Sequence, residues 1–143
     1  ARNGMRYVYL PLPPLDAPTH EVTMQFLDAV TDPANGRVFF HCYHGVDRTG
    51  TMAACLRLAR DGWTVEEALA EMRAYKVHEH GQRSKLQYVS DFAAYWATVP
   101  TTDRRRILHI PDPDLPVQLP PTPGLLARVT SWAAEQWARF KRG

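Results

Sequence analysis

At 143 residues, 45% of them hydrophobic and 22% charged, the chain has the length and composition of one globular domain with a buried core, outside the disordered and low-complexity classes. A net charge of +2 is too small to imply nucleic acid as a partner. The two cysteines, Cys42 and Cys55, do not make a disulfide framework, and no apolar run is long enough to span a bilayer.

The chain opens Ala1-Arg2-Asn3-Gly4, with neither an initiator methionine nor a signal-peptide pattern. A cytoplasmic protein is expected unless a targeting segment preceded Ala1. Met5 to Leu10 is aromatic and branched and reads as a strand. Pro11, Pro13 and Pro14 end it and open a loop from Leu12 to Pro18. Thr19 suits an N-cap, and Val22, Phe26 and Val30, with Leu27 beside them, predict an amphipathic helix over 20–31. Asp32 to Gly36 is a turn. Val38-Phe39-Phe40 is short and wholly apolar, which predicts a central buried strand over 37–41. A helix follows from Arg48 to Arg60, stopped by Asp61-Gly62. Thr64 with Glu67 reads as a capping box for a helix over 65–75. Ser84 with Gln87 reads as a second, for a helix with an apolar stripe of Leu86, Val89, Phe92 and Trp96. Strand, helix, strand and consecutive helices predict an α/β fold: a short central, mostly parallel sheet flanked by helices.

The expected domains are 1–100, a linker over 101–124 and a C-terminal helix over 125–143. The linker carries Arg104-Arg105-Arg106 and the proline-rich run Pro111 to Pro123. Residues 1–103 hold ten Lys/Arg and twelve Asp/Glu, and residues 104–143 hold seven and three. The body is therefore about −2 and the tail about +4. In the last helix Leu126, Val129, Ala133, Trp137 and Phe140 share one face, with Trp132 adjoining it and Arg128, Arg139, Lys141 and Arg142 around it. Its length and apolar content favour docking in cis or binding a partner over lying on a membrane surface.

The chemistry concentrates in His41-Cys42-Tyr43-His44-Gly45-Val46-Asp47-Arg48-Thr49-Gly50. A cysteine closes the strand and an arginine opens the helix, which is the layout of an anion site. Free N–H groups and the helix dipole favour negative charge at a helix start. The backbone of Tyr43, His44, Gly45, Val46 and Asp47 can curl so that several N–H groups converge. Gly45 permits a conformation that a β-carbon resists. Arg48 offers a planar fork for two phosphate oxygens. The same field favours the Cys42 thiolate, since helix N-termini and adjacent cations lower a thiol from about 8.5 to about 3.5–7.5.

These residues resemble the signature of the cysteine-dependent protein tyrosine phosphatase superfamily, His-Cys-x5-Arg-Ser/Thr-Gly, and the resemblance is closest to bacterial dual-specificity-like phosphatases. It runs from about Gly4 to about Trp96 and implies a front part of the domain, with further strands and a helix, before Gly4. It also implies a phosphomonoester hydrolase working through a cysteinyl-phosphate: Cys42 the nucleophile, Arg48 the phosphate clamp, Thr49 a hydroxyl that stabilises the sulfur as a leaving group, and His41 a buried, loop-ordering residue. The family's general acid is an aspartate on a loop well before the cysteine. Asp16 is the only carboxylate in the Leu12–Pro18 loop, with Asp32 the runner-up. His44 falls on the rim. Gln82 reads as an exposed loop amide rather than a water-orienting residue, and Cys55 as core. His41, His44, His78 and His80 lack ligand spacing, so neither a metal nor a cofactor is implied.

No lysine stands between Cys42 and Arg48, and Asp47 would repel a polyanion. A singly phosphorylated protein side chain is therefore expected, a phosphotyrosine or a phosphoserine or phosphothreonine. Two other classes compete: a pseudophosphatase that binds phosphorylated partners with weak or no turnover, which an absent acid would signal, and a rhodanese-type sulfur-transfer enzyme, against which the five-residue spacing and the Arg-Thr-Gly ending both count.

Overall fold

The computed structural model describes residues 4–111. Its elements are α1 (His20–Thr31), a 3-10 turn (Pro33–Asn35), α2 (Asp47–Leu56) running into one π-helical turn (Arg57–Asp61), α3 (Val65–Ala74), α4 (Arg83–Thr98) and α5 (Thr101–Ile107). Among the described residues none of these helices is long and apolar enough to cross a membrane.

The expected parallel sheet is absent: no strand occurs among the described residues, and the fold there is helical. Residues 5–10 and 37–41 lead toward the helices with no ladder partner. Tyr7 is 79% and Phe39 is 86% exposed. The central buried strand is thus a correction, and its cause is physical. Strand preference expresses how a side chain fits a pleated, half-buried surface, and two short segments without neighbours have no such surface. Only Leu10 and Phe40 of these stretches reach the core. Phe40 meets Phe26 edge to face, with ring centroids 4.9 Å apart.

The first and third helices start at the caps that the sequence places. Thr19 accepts the Val22 N–H on its hydroxyl and caps α1. Thr64 and Glu67 complete a reciprocal capping box at α3. Gly62 ends the π turn at φ +71, in the left-handed region that favours glycine. Within that turn Arg57 binds Asp61 at 2.9 Å and Glu71 at 3.2 Å, with its guanidinium over Trp63. The wider turn therefore ties α2 to α3.

Packing centres on α2, whose Thr51, Met52, Ala54 and Cys55 are buried. One apolar cluster joins Phe26, Leu27, Met52, Cys55, Phe92 and Trp96 with their neighbours, and a second joins Ala54, Ala68, Met72, Val77 and Val89. Phe92 is fully buried, and burying such a side chain contributes about 1.5–3 kcal/mol.

The start of the expected linker is helical. In α5 the Arg104 guanidinium donates to the Val99 carbonyl at 2.7 Å and so closes the end of α4. Thr31 Oγ1 donates to the Ile107 carbonyl at 3.1 Å, binding α5 to α1. The proline run from residue 112 and the C-terminal helix lie outside the described residues.

Candidate active site

The phosphate-type loop runs from Cys42 into α2, whose N-cap is Val46 and whose first turn closes with the Gly50 N–H on the Val46 carbonyl at 2.7 Å. No side chain caps this helix, and an uncapped helix start favours an anion in front of it. Gly45 sits at φ +72, a conformation that strains any residue with a β-carbon.

Cys42 lies at the focus of this loop. Burial pushes its thiol up. Hydrogen bonds from the Thr49 hydroxyl and from the backbone N–H groups of Thr49, Gly45 and His44 outweigh that and bring it down to about 7. The Cys42 N–H in turn donates to Thr49 Oγ1 at 2.9 Å, so one hydroxyl orients both the sulfur and its backbone. Thr49→Val, which keeps shape and removes the hydroxyl, should move the Cys42 titration upward from about 7. The pH dependence of iodoacetamide alkylation reads this directly, and an unmoved midpoint would show that Thr49 does not hold the thiolate.

The Asp47 side chain is engaged by His78. Its carboxylate accepts the His78 backbone N–H at 3.0 Å and lies 3.0 Å from the His78 ring Nδ1. Burial raises the Asp47 carboxyl, but the two His78 contacts and the charges of His78 and Lys85 hold it below its ordinary value. Asp47 therefore pins the segment between α3 and α4 to the phosphate-type loop. Its charge at the first turn of α2 also suits the helix dipole. Tyr43 and His44 sit at the exposed rim, packed edge to face with centroids 4.7 Å apart. His41 is exposed, stacked on Phe39 with Nδ1 3.1 Å from the Cys42 carbonyl oxygen, in contrast to the buried position that the resemblance implies.

A narrow cleft brings Arg48 together with Asp16 and with Leu12, Pro18, Met52 and Lys85. No hydrogen bond or ion pair ties up the Arg48 guanidinium among the described residues. Asp32 is spent elsewhere: its Oδ1 accepts the Ala34 N–H at 2.8 Å and caps the 3-10 turn at the far end of α1. Cys55 is fully buried, and burial alone pushes its thiol up.

Besides His41, two residues differ from their sequence expectations. Ser84 caps nothing; its Oγ donates to the Leu15 carbonyl at 2.9 Å. Gln82 is buried, not exposed, with Oε1 accepting from Lys85 Nζ at 2.6 Å. Lys85, which carries no sequence expectation, also lines the cleft. One signal was available: Lys85 shares the stripe of Val89, Phe92 and Trp96 at helical spacing, and a charged residue on a core-facing stripe is rarely idle. No group of three His, Cys, Asp or Glu side chains able to hold a metal ion occurs among the described residues.

The family model for DSP-PTPase phosphatase fused to NAD+ kinase matches residues 1–91. The dual specificity protein phosphatase TpbA of Pseudomonas aeruginosa is 33% identical over 92 residues, covering 59% of this chain and 39% of that protein. The chain thus spans about two fifths of the length of the curated relative it matches. No solved structure matches it significantly.

Proposed function

The chain belongs to the family of DSP-PTPase phosphatases fused to NAD+ kinase, and from that we propose that it hydrolyses phosphomonoesters of protein side chains through a cysteinyl-phosphate intermediate. The observation that carries this reading is the convergence of hydrogen bonds on Cys42, which leaves its thiol titrating at about 7. A substantial fraction is then thiolate at neutral pH, in front of an uncapped helix start.

In this reading the phosphoryl group sits against the backbone N–H groups of residues 43–48, and Arg48 binds two of its oxygens. The Cys42 thiolate attacks phosphorus, forming the S–P bond as the ester O–P bond breaks. Asp16 gives its proton to the departing oxygen. Water then attacks the cysteinyl-phosphate and loses a proton to the Asp16 carboxylate, and the sulfur leaves as a thiolate stabilised by the Thr49 hydroxyl. Inorganic phosphate and the starting protonation states result. The substrates in this reading are phosphotyrosine and phosphoserine or phosphothreonine side chains. Asp16 on the same cleft as Arg48 counts against the pseudophosphatase alternative, which needs the acid to be missing.

The intermediate is the test. Acid quenching during turnover of p-nitrophenyl phosphate should leave a phosphate on Cys42, located by peptide mass spectrometry. Turnover with no phosphorylated cysteine would overturn the covalent route.

A further inference from the structure

Two neighbouring side chains at the start of α4 grip two neighbouring carbonyls of the Leu12–Pro18 loop. Ser84 Oγ donates to Leu15 O at 2.9 Å, and Lys85 Nζ donates to Pro14 O at 2.9 Å. Asp16 is the next residue along. The loop has few means of its own for holding shape. Pro11, Pro13 and Pro14 supply no N–H, and no backbone–backbone hydrogen bond forms within it. The side chains from α4 stand where a backbone ladder would otherwise act.

Lys85 is the costly half of this grip. It is 1% exposed, and its second acceptor, Gln82 Oε1, is as uncharged as the first. Taking an ammonium out of water is unfavourable unless its partners repay it, and neutral carbonyls repay only part. An apolar side chain would fill the same place beside Val89 and Phe92 at no such cost. Burial lowers the Lys85 ammonium, Asp47 opposes that, Arg48 adds to it, and Asp16 and Cys42 oppose it. Its neighbours in charge are thus the groups of the candidate site.

We infer that Lys85, with Ser84, is a positioning residue that holds the Asp16 loop against the phosphate-type loop. The inference rests on the proposal that Asp16 is the general acid. A proton donor must lie within hydrogen-bond reach of the departing oxygen, and a displacement of about 1 Å can cost on the order of 100-fold in rate.

Steady-state rates of the 143-residue chain on p-nitrophenyl phosphate and phenyl phosphate test it, because only the second has a leaving group that needs protonation. Lys85→Met, which keeps the stem, should lower kcat on phenyl phosphate by about 10–100-fold and on p-nitrophenyl phosphate by much less. Ser84→Ala should act in the same direction with a smaller loss. It leaves no buried charge unpaired, so it carries the test should Lys85→Met not fold. In an Asp16→Asn background Lys85→Met should add no further loss, since it acts through a group already removed. Equal slowing of both substrates, or a full additional loss in that background, would overturn the positioning role. The two ideas fail separately. If Asp16→Asn does not discriminate between the substrates, the acid assignment has failed. If Asp16→Asn discriminates and neither Lys85→Met nor Ser84→Ala does, the grip alone has failed.

Discussion

Cys42→Ser is expected to lower phosphomonoester hydrolysis by at least about 10³-fold, while vanadate or phosphate still binds the loop. The two halves of the result come from different atoms. Anion binding is assigned to backbone N–H groups at the start of α2 and to Arg48, none of which the substitution touches. Turnover is assigned to the sulfur, and a serine hydroxyl in its place gains little from the same surroundings. Thr49, Gly45 and His44 bring a thiol down to about 7; an alcohol starts far higher and stays protonated at neutral pH. For the unsubstituted chain the same value fixes the acid side of the pH–rate profile. Cys42 is a neutral thiol below about pH 7 and a thiolate above it, so under the proposed mechanism the rate should climb through that region. Isothermal titration with vanadate, beside rates on p-nitrophenyl phosphate, separates binding from chemistry. Hydrolysis by Cys42→Ser near the unsubstituted rate would remove the central assignment.

Local signals were read from the chain wherever the forces were local. The Thr19 cap and the Thr64–Glu67 box each join residues three apart, and the helices they start are α1 and α3. The Cys42–Gly50 run is likewise local, because a cysteine, a glycine and a helix start within ten residues leave the backbone few ways to close. Where a neighbour across the fold decides, sequence pattern failed. Met5 to Leu10 and Val38 to Phe40 carry strong strand preference, but a strand exists only through its partners, and none occurs among the described residues. Ser84 and Gln87 have capping-box spacing. The helix starts earlier, at Arg83 with Gln82 as its N-cap, and the Ser84 hydroxyl donates instead to the Leu15 carbonyl, 69 positions away in sequence, while Gln87 turns to Asp91. Gln82 reads as a surface residue for the same reason, since its partner Lys85, held also by Pro14, reaches it only once α4 lies under the loop. Arg104 reads as one member of a basic triplet in a linker, and only the exposed carbonyls at the end of α4 give it a structural role.

Asp16→Asn should slow phenyl phosphate by about 10²–10⁴-fold, the usual contribution of a general acid, and p-nitrophenyl phosphate far less. The asymmetry follows from the leaving groups. p-Nitrophenolate departs without a proton, whereas phenolate leaves slowly unless its oxygen is protonated as the bond breaks. Asparagine keeps the volume and hydrogen-bonding shape of the aspartate, so the Pro14 and Leu15 carbonyls should remain held by Lys85 and Ser84. Competing carboxylates are committed elsewhere. Asp47 is bound by His78 and held ionised, and Asp32 caps a turn at the far end of α1. Asp32→Asn is accordingly expected to leave the ratio of the two rates unchanged. The rise in rate near pH 7 that belongs to Cys42 should persist in Asp16→Asn. A variant that slows both esters equally would show that Asp16 shapes the loop and that another group supplies the proton.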